Sequence, residues 1–154
     1  TDYYRRRGVD TLVARPFNHI GPGQGLGFII PDLVAKLREQ GAAAAVITGN
    51  LDSARDYTDV RDVVSAYRLL LELQRPRHAV YNVCTGAARR GWEVLEAVCT
   101  AQGKPIPTTQ PADVRAVDPG VITGNSERLR AETGWKPVFK FQTSVDDYVA
   151  GSRG

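Results

Sequence analysis

The sequence predicts an α/β fold built on parallel strands, and three observations point to it. Short apolar runs at Thr11-Leu12-Val13-Ala14, at 44–48 and at 79–83 alternate with longer segments whose apolar residues recur at helical spacing. A glycine-rich loop follows the first run, at the strand end where open parallel sheets place their ligands. The composition of the 154 residues, 42% hydrophobic and 24% charged, is that of one soluble domain able to bury a core.

Residues 1–7 read as the last turns of a helix closed by Gly8, and the run at 11–14 as a buried parallel strand. After the loop that ends at Gly27, a helix is expected from about Ile29. Pro31 stands in its first turn, and Ile30, Leu33, Val34 and Leu37 form one apolar stripe up to Gly41. A strand at 44–48 gives way to turn chemistry in Gly49-Asn50-Leu51-Asp52. Asp59 is the expected N-cap of a second helix, with Asp62 in its first turn and Val60, Val63, Val64, Tyr67 and Leu71 at helical spacing. A strand at 79–83 and a helix at 93–101 follow. Proline-rich residues 105–119 predict an extended surface segment. Residues 126–133 predict a short helix stopped by Gly134, and Ser144-x-x-Asp147 a capping box opening a last helix.

Several classes of function find no support. No run approaches the roughly 18 consecutive apolar residues of a membrane span, and no apolar stretch follows Arg5-Arg6-Arg7 as it would in a signal peptide. A cytoplasmic protein is therefore expected, with no membrane partner. Cys84 and Cys99 are too far apart for a CxxC pair and too few for a disulfide framework, so both are expected as buried thiols, and no metal site is indicated. The net charge of +3 and the isoelectric point near 9.0 suit anionic ligands. They fall short of the clustered basic face that nucleic acid requires. The chain contains no methionine, which suggests a piece of a longer protein.

The loop Arg15-Pro16-Phe17-Asn18-His19-Ile20-Gly21-Pro22-Gly23-Gln24-Gly25 is not a dinucleotide fingerprint. Counting from Gly21, the last glycine position of GxGxxG falls on Leu26, and Pro22 removes a backbone donor. A polar Asn18-His19 pair beside an apolar strand end nonetheless marks a ligand loop. The string from Arg15 to Gln24 resembles the segment that follows the catalytic helix in the extended short-chain dehydrogenases/reductases, the NAD-dependent epimerase/dehydratase family, and above all in its GDP-sugar reductases and dehydratases. Three further motifs are similar to that family's and stand in its order: Gly49 to Val64 with the core Arg55-Asp56-Tyr57-Thr58-Asp59, then Tyr81-Asn82-Val83-Cys84-Thr85-Gly86, then Gly134-Trp135-Lys136-Pro137. The resemblance runs over essentially the whole chain.

The resemblance implies the C-terminal part of a Rossmann-like doubly wound parallel sheet plus a small α/β substrate-binding lobe. Residues 1–27 and 57–85 would complete the Rossmann-like domain, and 28–56 and 86–154 would form the lobe. The cofactor-binding N-terminal half would lie outside this chain. By the same resemblance Asn18 touches the substrate diphosphate, although an Asn in such a loop can instead bond its own backbone. His19 lies by the cofactor, and Arg55 clamps the diphosphate with its planar fork unless Asp52, Asp56 or Asp59 engages it in a salt bridge. Arg115 matches a second diphosphate arginine, with Ala116 in place of the family's proline.

The family's reaction is hydride transfer between NADP(H) or NAD(H) and a sugar carbon, assisted by a Tyr-x-x-x-Lys pair. None of the 6 tyrosines here has a lysine four residues on. The expected whole is a reductase converting GDP-4-keto-6-deoxy-D-mannose to GDP-D-rhamnose, working as a homodimer on a nucleotide-diphosphate sugar and held to its missing N-terminal half. A dehydratase, another epimerase of the family and a non-catalytic nucleotide-binding module are the alternatives. The fragment alone is expected to be inactive.

Overall fold

Parallel pairing between distant segments organises the computed structural model, which describes residues 6–8, 10–39, 45–112 and 119–152. Strand β1 (Val13–Pro16) lies beside β5 (Val80–Val83), with Val13 opposite Val80 and Pro16 opposite Val83. The expected strand at 11–14 is thus shifted two residues along, because its partner sets where the ladder begins. Helix α2 (Val60–Leu71) connects toward β5 and covers the pair. Val63, Ala66 and Leu70 pack with Tyr81, Val83, Leu129 and Trp135. Its expected cap is present: the Asp59 carboxylate accepts from Arg61 N at 2.8 Å.

A second, mixed sheet forms around β4 (Ala54–Asp59). Strand β2 (Asn18–Ile20) runs parallel to its C-terminal half, β6 (Ala88–Arg90) antiparallel to its N-terminal half, and β8 (Val121–Ile122) parallel at Ala54 and Arg55. β4 corrects the expectation of a turn leading straight into a helix. Its pattern alternates by two, with Ala54, Asp56 and Thr58 buried and Arg55 and Tyr57 partly exposed, as half-buried strands do. A third parallel pair joins β3 (Val46–Thr48) to β7 (Thr109–Pro111). Part of the proline-rich stretch is therefore paired strand.

Of the four remaining described helices, all but the shortest close the second core. α1 (Ile29–Glu39) follows the loop as expected, with Ile30, Leu33, Val34 and Leu37 inward. α3 (Gly91–Gln102) starts two residues before the expected 93, and Glu93 accepts from Arg90 N at 2.8 Å to hold its first turn. α4 (Glu127–Thr133) ends at Gly134, whose φ of 70° suits a left-handed stop. α5 (Phe141–Gly151) begins three residues before Ser144, so the expected capping box is corrected. Ser144 sits one turn inside the helix, buried, and donates to Asp59 Oδ2 at 2.6 Å. Val94, Leu95, Val98, Val145 and Val149 meet the α1 stripe in one cluster. Each such side chain fully buried contributes roughly 1.5–3 kcal/mol.

Both cysteines are buried and free. Among the described residues no helix is long and apolar enough to cross a membrane. Gly8 adopts the left-handed φ of 68° expected of a helix stop. Residues 1–5 of the helix expected before it lie outside the described residues.

Candidate active site

The candidate site begins at the first residue of β2. Asn18 stands opposite Tyr57 in the β2–β4 register, and Arg55 stands opposite Arg89 in the β4–β6 register. Cross-strand partners share a face, and so do residues two apart on one strand. One face of the mixed sheet therefore carries Asn18, Tyr57, Arg55 and Arg89 in a diagonal row.

Tyr57 joins them. Its hydroxyl lies near the Asn18 side chain and in the field of Arg55, while its ring tilts against Phe141 at a centroid distance of 5.7 Å. Burial pushes the phenol above its ordinary pKa, and the Arg55 charge and the nearby Asn18 amide offset only part of that shift. Tyr57 is consequently a protonated donor at neutral pH. A cavity of about 310 Å³ opens here, lined by Pro16, Phe17, Asn18, His19, Phe28 and Tyr57 among others. A larger one of about 530 Å³ shares Tyr57 but extends the other way, to Arg89, Glu93 and Phe141 between α3 and α5. The smaller cavity is the candidate site, because Asn18 and His19 line it together with Tyr57; Arg55 stands two residues before Tyr57 on the same strand face, outside its lining.

His19 is exposed on the same rim. Its Nδ1 lies 3.2 Å from the Phe17 carbonyl oxygen, a contact that is a hydrogen bond when Nδ1 carries the proton. Gln24 Nε2 donates to the His19 carbonyl oxygen at 3.0 Å and folds the loop back over β2. Gly21 is required where this loop passes α2, since a Cβ there would fall 2.3 Å from Val60 Cγ1.

Arg55 extends toward β8. Its Nη1 donates to the carbonyl oxygens of Ala54 and Pro119, each at 2.8 Å. The three nearby carboxylates have partners of their own: Asp52 accepts from Trp92 Nε1, Asp56 from Thr85 and Gly86, and Asp59 from Arg61 and Ser144. Arg115 lies outside the described residues. The structure thus places Asn18 and His19 beside the C-terminal half of β4 and Arg55 in its N-terminal half, with Asn18 and Arg55 on one face of the sheet.

Sequence reasoning missed Tyr57 and Arg89 as neighbours of the site. The period-two alternation from Ala54 to Thr58 was the available signal for Tyr57. Arg89 had none, because its place opposite Arg55 depends on an antiparallel pairing 34 residues away (89 minus 55).

A family model described as GDP-mannose 4,6 dehydratase matches residues 1–148. The chain belongs to that family. It is 37% identical to GDP-6-deoxy-D-mannose reductase of Pseudomonas aeruginosa over 142 residues, which cover 90% of this chain and 46% of that protein. The structure of RMD from Pseudomonas aeruginosa complexed with NADPH superposes with a TM-score of 0.84 at 32% identity, over 97% of this chain and 50% of that one. UDP-glucose 4-epimerase of Thermus thermophilus, in complex with NAD, superposes with a TM-score of 0.82 at 30% identity, over 99% of this chain and 50% of that one. The chain spans about half the length of these relatives.

Within this family the described strands are part of a Rossmann-like α/β architecture with parallel sheets.

Proposed function

We propose that this chain is the substrate-binding half of an NADP-dependent nucleotide-sugar oxidoreductase that reduces GDP-4-keto-6-deoxy-D-mannose to GDP-D-rhamnose. The observation that carries this is the row Asn18, Tyr57 and Arg55 on one sheet face beside an apolar-walled cavity. The 37% identity to a GDP-6-deoxy-D-mannose reductase supports the substrate assignment.

Each residue has a task that its chemistry suits. The guanidinium fork of Arg55 matches two phosphate oxygens at once, and such charged hydrogen bonds each contribute roughly 1.5–3 kcal/mol. Arg115, by the family motif, is the second diphosphate arginine. The Asn18 amide and the Tyr57 phenol supply neutral donors toward the sugar diphosphate. Pro16, Phe17, Phe28 and Ile29 give the cavity walls apolar enough for the flat edge of a nicotinamide, with His19 at the rim. Nicotinamide, when bound, supplies the hydride that reduces the sugar carbonyl. The acid/base tyrosine and most cofactor contacts belong to a preceding half, and the division of the chain into 1–27 with 57–85 and 28–56 with 86–154 goes with that assignment, as does a homodimeric whole.

The test uses the longer protein that contains this chain. Incubated with NADPH and GDP-4-keto-6-deoxy-D-mannose, it is expected to oxidise NADPH and to yield GDP-D-rhamnose in equal amount, identified by proton NMR. The family model's own description favours one competing reading, a GDP-mannose 4,6-dehydratase. Loss of water from GDP-mannose, with no net NADPH consumption on the keto sugar, would replace the reductase by it.

A further inference from the structure

On the opposite face of β4 from Arg55 and Tyr57 lies Asp56, only 1% exposed. A carboxylate this deeply buried survives only where donors replace its water. Its Oδ1 accepts from Thr85 N at 3.0 Å and Thr85 Oγ1 at 2.6 Å. Its Oδ2 accepts from Gly86 N at 2.8 Å, Gly124 N at 3.3 Å and Thr123 Oγ1 at 3.4 Å. These donors are backbone amides and threonine hydroxyls of two segments far apart in sequence.

One of those segments leads straight back to Arg55. Residues 119–124 run from Pro119, whose carbonyl oxygen accepts from Arg55 Nη1, through Gly120, whose carbonyl oxygen accepts from Ala54 N at 2.7 Å. They continue through β8, paired with Ala54 and Arg55, to the Thr123 and Gly124 that bond Asp56. The end of the segment is pressed against the strand behind it. A Cβ on Gly124 would fall 2.5 Å from Cys84 Sγ and 2.7 Å from the Phe17 ring, next to Asn18.

We infer that Asp56 is a positioning residue: its buried carboxylate seats the 119–124 segment on β4 and so sets the direction in which Arg55 meets the substrate anion. Asp56 touches no substrate. It acts through the segment whose Pro119 carbonyl holds the guanidinium. This rests on the proposed role of Arg55 as a diphosphate ligand.

The experiment is a double-mutant cycle in the longer protein, with Arg55→Ala, Asp56→Asn and the pair. The readouts are KM for the nucleotide sugar, kcat and KM for NADPH. Asp56→Asn is expected to raise the sugar-nucleotide KM about five- to tenfold with kcat and the NADPH KM within about twofold. In the Arg55→Ala background it is expected to add less than about twofold, because the group it positions is gone. Equal effects in both backgrounds, or a fall in kcat without a change in KM, overturn the inference while leaving the proposed function intact. If Arg55→Ala itself leaves KM unchanged, both fall. Should Asp56→Asn fail to fold, Thr123→Val removes one donor from the same segment. It is expected to raise KM by about twofold in the wild type and to do nothing beside Arg55→Ala, and an unchanged wild-type KM then overturns the inference.

Discussion

Tyr57 shows what single residues contribute here. Its hydroxyl lies near Asn18, its ring packs on Phe141, and burial keeps it protonated, so it can donate but does not act as a base. Tyr57→Phe in the longer protein is expected to keep the fold and raise the nucleotide-sugar KM about threefold to tenfold, the loss of one neutral hydrogen bond. Arg55→Ala is expected to raise it about tenfold or more, with the NADPH KM unchanged, since a charged fork is lost. Steady-state kinetics on the two variants checks both. Asn18, His19 and Arg55 were legible as candidates from motif strings alone. Tyr57 was not, because its meaning depends on standing opposite Asn18, and that register is set by pairing between strands 39 residues apart (57 minus 18).

Two joints between elements hold the site in place. At the first, α3 docks end-on against the backbone at 51–53: Gly91 N donates to the Ser53 carbonyl oxygen at 3.0 Å and Trp92 N to that of Leu51 at 3.1 Å. A Cβ on Gly91 would fall 2.6 Å from Leu51 Cα. Backbone cannot yield as a side chain does, so Gly91→Ala is expected to cost about 1–3 kcal/mol, measured by chemical denaturation. At the second joint, Asp59 caps α2, pairs with Arg61 at 2.7 Å and accepts from Ser144 of α5 at 2.6 Å. Burial alone would raise its pKa, but the bonds from Arg61 and Ser144 outweigh that and hold it below the ordinary carboxylate value. A depressed carboxylate contributes stability that is complete above its unfolded pKa, about 3.9, and lost as pH falls through the lower folded value. Melting temperature is therefore expected to drop below about pH 4, and less steeply in Asp59→Asn. The helices of this region were legible from apolar spacing. Two of their starts were not: α3 begins two residues before Glu93, and Ser144 looked like a cap, yet its hydroxyl belongs to a bond with a residue 85 positions earlier.

Over the whole molecule, one parallel pair and one helix face stand out among the described residues. Among the described strands β1 pairs with β5 alone, and α2 leaves Val64, Tyr67 and Leu71 exposed at helical spacing, Leu71 by 86%. Exposed apolar stripes and strand edges drive association. The isolated 154 residues are expected to self-associate in sedimentation at concentrations where Val64→Ser with Leu71→Ser does not. They are also expected to show no turnover, lacking any Tyr-x-x-x-Lys; measurable NADPH oxidation by them would overturn that. By itself the sequence determined the α/β class, the places of its main helices and the burial of both cysteines, and it named the candidate site residues. These follow from local periodicity and from motifs that keep their order. Only the tertiary structure decided that 54–59 is a strand, that Tyr57 joins Asn18 and Arg55, and that Asp56 and Asp59 serve as buried knots. Each of those depends on a hydrogen bond between segments far apart in the chain, and no local pattern encodes which distant donor will arrive.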